Sequence, residues 1–241
     1  MNELMSFFRI DKIRLVKPLT AAYAFVAVIE IIAELNRDMS IILLSKPLLM
    51  PLLIGLYWSN SKKANHMFIF SLIAVWIANV FLISDSMNLI FAGSIFFLLY
   101  RLIVMYLVFR VTKFPGYLPM IVGCMPFLFL YLFVTNLTHQ ELGERFLLFV
   151  LQGGLMILFG GFCIGNYILK SNRANTYLLI STLLFTAAQF LIVVKLFYHS
   201  YTIFQPLSML FFVLGQYLLY QFIILAEKKR RRYHSMATKK D

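Results

Sequence analysis

Charge is the scarce commodity in this sequence. Only 13% of its 241 residues are Asp, Glu, Lys or Arg, against roughly 25% in a soluble globular domain. A surface facing water needs about twice that share, so a soluble enzyme and a charge-rich disordered chain are both excluded. There are two cysteines, and Cys124 and Cys163 both lie within apolar runs, which excludes a disulfide scaffold and a Cys/His metal cluster. Glycine (11) and proline (7) are too few for a collagen-like chain. His66, His139, His199 and His234 share no metal-ligand spacing. No P-loop, Gly-rich dinucleotide turn or nucleophile elbow occurs, so neither cofactor nor metal is expected. What remains is apolar: 61% hydrophobic residues and a mean hydropathy of +0.84. The chain reads as an all-α integral membrane protein.

A hydrocarbon core about 30 Å thick takes about 20 apolar residues per helical span. The apolar runs here are continuous, without the alternation of membrane strands. Eight spans are expected, at 19–35, 40–58, 66–84, 88–109, 117–135, 145–168, 175–198 and 203–226. Lys46, Pro47 and Pro51 interrupt the second. Residues 1–18 are expected to form a basic cytoplasmic N-terminus, 19–226 a bundle of eight transmembrane helices, and 227–241 a basic cytoplasmic tail, disordered beyond Arg232. No cleavable signal is visible before the first span, which is expected to act as an anchor.

Lys and Arg set the orientation. Seventeen of the 22 lie on one side: four in the first 18 residues, Lys62, Lys63, Arg110, Lys113, Lys170, Arg173, and seven from Lys228 onward. Both termini are therefore expected in the cytoplasm, with the protein in a cell (inner) membrane. The net charge of +12 comes from loop residues flanking helices and not from one folded basic face, so no nucleic acid is expected as partner. The run Lys228-Lys229-Arg230-Arg231-Arg232 offers contacts to anionic lipid headgroups. Gly161 and Gly165, with Gly153 and Gly154 before them, make a small-residue stripe for close helix packing.

An ionisable group inside a span costs several kcal/mol, which makes each one a candidate site. Glu30 and Glu34, four apart in the first span, share a helix face, and Lys46 opens the second. Asn79, Arg101, Gln189 and Gln216 lie in spans three, four, seven and eight. At about 1.5 Å of rise per residue, Glu30, Asn79 and Gln189 sit about 18–21 Å from the cytoplasmic side. Arg101 and Gln216 sit about 20 Å from the other, so these positions are expected to form one polar layer. Gln152, Asn166 and Gln221 read as candidates for interhelical bonding.

The residues that carry chemistry also resemble a known family. Lys46-Pro47-Leu48-Leu49-Met50-Pro51-Leu52-Leu53 is similar to the Lys-Pro-Leu-x-Met-x-Leu-Leu motif of the YhhN-like, or lysoplasmalogenase, family of eight-span membrane proteins. Ala33-Glu34 precedes it at a similar distance. Gly93 and Phe97 resemble the family's Gly-x3-Phe-x3-His, with Arg101 in place of His. Span seven looks like its Gly-Ala-Leu-Leu-Phe-x-x-Ser-Asp segment, with Ala188-Gln189 in place of Ser-Asp. Ala78-Asn79 stands where the family has Gly-Asp, and Gly215-Gln216 is similar to its Ala-Gln.

The resemblance implies hydrolysis of the vinyl ether bond of a single-chain lysolipid, releasing an aldehyde and a glycerophospho-headgroup. Protonating an alkene carbon and delivering water needs a proton donor and acceptor, which the amides Asn79 and Gln189 are not. Glu30 and Glu34 are then the catalytic candidates. Lys46, Asn79, Arg101, Gln189 and Gln216 are the substrate-binding candidates, with Arg101 suited to a phosphate. The alternatives are a non-catalytic lysolipid-binding relative, a transporter in which Glu30 and Arg101 gate passage, and a structural membrane protein. A transporter predicts discontinuous helices or an inverted repeat.

Overall fold

The computed structural model describes the backbone of residues 2–84, 86–198 and 201–237, and side chains in 14–84, 86–138, 145–198 and 201–230. Among the described residues every regular element is helical. These are α1 (Asn2–Asn36), α2 (Met39–Asn60), α3 (His66–Phe81), α4 (Met87–Val111), α5 (Tyr117–Leu142), α6 (Phe146–Leu169), α7 (Arg173–Phe197) and α8 (Phe204–Ala237). A single 3-10 turn, Gly143–Arg145, joins α5 to α6. Seven of the helices are long and apolar enough to cross a membrane. The chain is a helical, multi-pass membrane protein.

Two expectations are corrected, for α3 and for the end of α8. The third span was expected to reach 84, but α3 has 16 residues, about 24 Å at 1.5 Å per residue, less than a hydrocarbon core. Its end is a tightening turn: the N–H of Leu82 donates to Ala78 O at 3.0 Å, and those of Ile83 and Ser84 reach back to Val80 and Phe81. Helix α1 begins at Asn2, ahead of the expected first span, with Pro18 inside it. The tail expected to be disordered continues α8 as far as Ala237, because Glu, Lys and Arg are good helix formers and neither Gly nor Pro interrupts them. α2 runs unbroken through Pro47 and Pro51.

The chain divides into two compact units, with the boundary between Tyr100 and Arg101 inside α4. In the first unit a two-residue turn folds α1 back along α2. Arg37 takes a left-handed φ of 56°, while the N–H groups of Arg37 and Asp38 bond to the carbonyls of Glu34 and Ala33. This is the C-terminal closure usually built on glycine. Asp38 then caps α2, its carboxylate accepting from the N–H of Ser40 (3.1 Å) and Ile41 (3.3 Å).

α3 returns antiparallel along α2. Its N-cap, Asn65, donates its backbone N–H to the Tyr57 hydroxyl at 2.7 Å. Buried Tyr57 and Phe68 meet edge to face, centroids 4.7 Å apart. Further along, the indole N–H of Trp76 donates to Pro47 O at 2.8 Å. These two crossings fix a register in which each step along α3 is one step back along α2. Asn79 then falls level with about Ser45. Around α3, Asn79 lies between Phe68 and Trp76, about 20° from Phe68 at about 100° per residue. It therefore faces α2.

In the second unit α5 and α6 are in close backbone contact through glycines. A Cβ at Gly123 would lie 2.6 Å from Gly161 O. One at Gly161 would strike Cys124 Sγ and stand 2.9 Å from Met120 O. The expected small-residue stripe is thus a packing device. α7 and α8 meet at Gly215, whose Cβ would press on the Phe185 ring at 2.9 Å. Ser181 Oγ of α7 donates to the carbonyl of that same glycine at 2.9 Å.

Candidate functional site

The polar residues expected in one layer divide between the two units: Glu30, Glu34, Lys46 and Asn79 belong to the first, Arg101, Gln189 and Gln216 to the second. Each group has its own chemistry.

In the first unit the α1–α2 turn sets the Glu30/Glu34 face of α1 against the start of α2. Lys46 Nζ donates to Glu34 Oε1 at 2.6 Å and stands 3.8 Å from Glu30 Oε1, too far for a hydrogen bond. Ser45 Oγ donates to Glu30 Oε2 and lies 2.7 Å from the carbonyl of Ile41. All four are out of contact with the surroundings: Glu30 is 0%, Glu34 8%, Ser45 4% and Lys46 4% exposed. Two carboxylates thus share one lysine in a low-dielectric interior where removing the lysine leaves both buried without a cation. Their partners differ. Glu34 is the lysine's counter-ion; Glu30 is held by a neutral hydroxyl, and its Oε1 has no hydrogen-bond partner among the described residues.

Asn79, 4% exposed, is level with this cluster by the register above. Its Nδ2 is likewise buried with no hydrogen-bond partner among the described residues. Sequence reasoning singled out Lys46 and passed over its neighbour Ser45. Pairing α1 with α2 across the Arg37–Asp38 turn is the signal that would have found it.

In the second unit Arg101 Nη1 points to the backbone carbonyl of Gln152 at 3.4 Å, and Gln189 Nε2 donates to Gln152 Oε1 at 3.2 Å. Gln152 on α6 thus links α4 and α7, as the interhelical expectation had it. Gln189 also lines a small, half-open recess whose other walls include Tyr131, Phe149, Met156 and Phe190. Gln216 is 0% exposed and follows Gly215 on α8. Asn166 and Gln221 do not bond between helices in this way: their side-chain amides donate one turn back, to Phe162 O at 3.0 Å and to the Tyr217 hydroxyl at 2.9 Å. Lys195 on α7 donates to Gln205 Oε1 on α8 at 2.9 Å.

Among the described residues no group of three or more His, Cys, Asp or Glu side chains could hold a metal ion. The side chains of His139, His199, His234, Arg231 and Arg232 lie outside the described ones.

A family model, the YhhN family, matches residues 41–223, about three quarters of the chain. The chain belongs to the YhhN family. The YhhN match includes Lys46, Asn79, Arg101, Gln189 and Gln216 and begins after Glu30 and Glu34, so the carboxylates of the buried cluster come from the helix that precedes it. No curated protein and no solved structure matches the chain.

Proposed function

We propose that this YhhN-family protein binds a single-chain lysolipid within the membrane and hydrolyses its vinyl ether bond, with Glu30 as the proton-transfer group. The observation that carries this reading is the fully buried Glu30–Ser45–Lys46–Glu34 cluster. An ion cluster at that depth is costly and marks a working site. Its two carboxylates have different duties. Glu34 stays bound to Lys46, while Glu30 keeps one oxygen for a ligand.

The chemistry asks for little more. Glu30, in its protonated form, gives a proton to the alkene carbon next to the ether-bearing one and is left as the carboxylate, and the enol ether becomes an oxocarbenium ion. Water adds to the ether-bearing carbon, returning a proton to the carboxylate, and the hemiacetal collapses to a fatty aldehyde and the free glycerol hydroxyl. Asn79, Gln189 and Gln216 serve as hydrogen-bonding groups, and Arg101 as the group chemically suited to the lipid phosphate. The proposed setting is a bacterial-type inner membrane with both termini cytoplasmic, the basic end of α8 lying against anionic headgroups.

The reading is tested on detergent-purified protein, by mass spectrometry of retained lipids and by aldehyde release from a lysoplasmalogen. Turnover that Glu30→Gln abolishes supports it. Lysolipid retained by wild-type protein without turnover would make the protein a binding relative whose amides Asn79 and Gln189 mark the lost chemistry. Neither retention nor turnover would overturn both forms. The transporter alternative predicts discontinuous helices or an inverted repeat, and Pro-containing α2, the one feature in its favour, is a continuous helix.

A further inference from the structure

Two buried atoms of the first unit are complementary. In ionised Glu30, Oε1 stands 3.8 Å from Lys46 Nζ and is an acceptor without a hydrogen-bond donor, and Asn79 Nδ2 is a donor without an acceptor, among the described residues. Each belongs to a side chain more than nine-tenths buried. A buried polar atom left unsatisfied costs about 1–3 kcal/mol, and two at one level of the same three helices call for one explanation.

The level follows from contacts already described. Ser45 is hydrogen-bonded to Glu30, which ties α1 to α2 at that height. The Tyr57–Phe68 and Pro47–Trp76 crossings bring Asn79 of α3 to the same height, on the face turned to α2. α3 also stops only two residues later, at Phe81, and the turn that follows, Leu82 to Ser84, is partly exposed.

We infer that the first unit binds a hydroxyl group between Glu30 and Asn79. A hydroxyl is the smallest group that meets both demands: its O–H donates to Glu30 Oε1, and its oxygen accepts from Asn79 Nδ2. A carbonyl would leave the glutamate unmet, and an ammonium would leave the amide unmet. Two sources share this chemistry. One is a water molecule, which would sit on the carboxylate that the proposed hydrolysis uses. The other is the free glycerol hydroxyl of a single-chain lipid, which a two-chain lipid has esterified; this arm rests on the function proposed above, and the water arm does not.

The experiment uses the full-length protein in nanodiscs and two measurements. In the first, native mass spectrometry follows competition between a 1-alkyl lysophospholipid, which lacks the vinyl bond and is not consumed, and its 2-deoxy analogue. In the second, infrared difference spectra are searched for a bound-water O–H stretch that moves on exchange into H2(18)O.

If the lipid supplies the hydroxyl, wild-type protein prefers the lysolipid by about tenfold or more, the worth of a hydrogen bond to a charged group. Asn79→Leu then narrows that preference. If water supplies it, the two lipids compete equally or fail to bind, and the water band is present and lost in both Asn79→Leu and Glu30→Gln. Both comparisons begin in wild-type protein, so a variant that fails to fold leaves the test intact. Equal competition together with no water band overturns the inference, even where aldehyde release establishes the lysolipid activity. A water band with no lysolipid bound sustains the inference and removes the proposed substrate instead.

Discussion

The indole N–H of Trp76 on α3 donates to the carbonyl of Pro47 on α2, 2.8 Å away, and that carbonyl is available because of a third residue. In a helix it would accept from the N–H four positions on, but that position is Pro51, which has none. The motif that sets two prolines four apart therefore creates an acceptor, and α3 docks on it one turn from Asn79.

Removing the indole donor should expose the relationship. Trp76→Phe is expected to destabilise the protein by about 1–3 kcal/mol in detergent unfolding, since the carbonyl is left unsatisfied. Pro51→Ala returns a donor to Pro47 O within α2, so the same Trp76→Phe change should cost measurably less in that background. Equal costs in the two backgrounds would mean that the bond does not stabilise the α2–α3 contact.

The lysine of the buried cluster should be indispensable to stability so long as its carboxylates remain. Lys46→Met leaves Glu30 and Glu34 buried without a cation, and breaking a buried pair from one side costs about 3–5 kcal/mol. Adding Glu34→Leu to Lys46→Met should recover part of the loss, because one of the orphaned charges goes with it. A Lys46→Met protein as stable as wild type in the same unfolding assay would contradict the cluster.

Two glycines of α6, about two turns apart, should respond differently. A side chain at Gly161 meets the backbone of α5, so Gly161→Val is expected to cost at least about 1–3 kcal/mol as the helices are forced apart. Nothing lies within 4 Å of a Cβ at Gly154, so Gly154→Ala should be neutral or gain up to about 1 kcal/mol from helix propensity. Thermal unfolding of the two variants side by side decides whether the α5–α6 contact is as close as described.

Orientation can be checked directly. With both termini in the cytoplasm, green fluorescent protein fused after residue 241 should fluoresce and alkaline phosphatase fused there should be inactive. The reverse pattern would overturn the assignment made from Lys and Arg.

Much of the fold was legible because membrane helices announce themselves by length and apolarity. The positions of α2, α4, α6 and α7 follow the apolar runs to within a few residues, while α5 begins where expected and continues well past 135 to Leu142; Gly153, Gly161 and Gly165 of the α6 stripe pack as their spacing implied. Legibility failed at helix ends. Nothing apolar distinguishes Leu82 from Phe81, yet the turn at Leu82 closes α3; nor does a charged tail cease to be helical because it has left the apolar run. The candidate site was legible as a set of expensive side chains, but not as a set of pairs. Lys46 could have paired with either glutamate, and Ser45 and Trp76 carried no charge to draw attention to them.

Composition and periodicity by themselves determined that this chain crosses a membrane as helices, and which few polar groups it carries there, because burying apolar surface and excluding charge are properties of residues one at a time. The tertiary structure decided which of those groups meet. A left-handed residue at Arg37, a cap at Asp38 and a carbonyl freed by Pro51 set the registers of α1, α2 and α3. Those registers bring Glu30, Ser45 and Asn79 to one height. Hydrogen bonds and ion pairs act over a few ångströms, so their partners are chosen by register, which no single residue encodes.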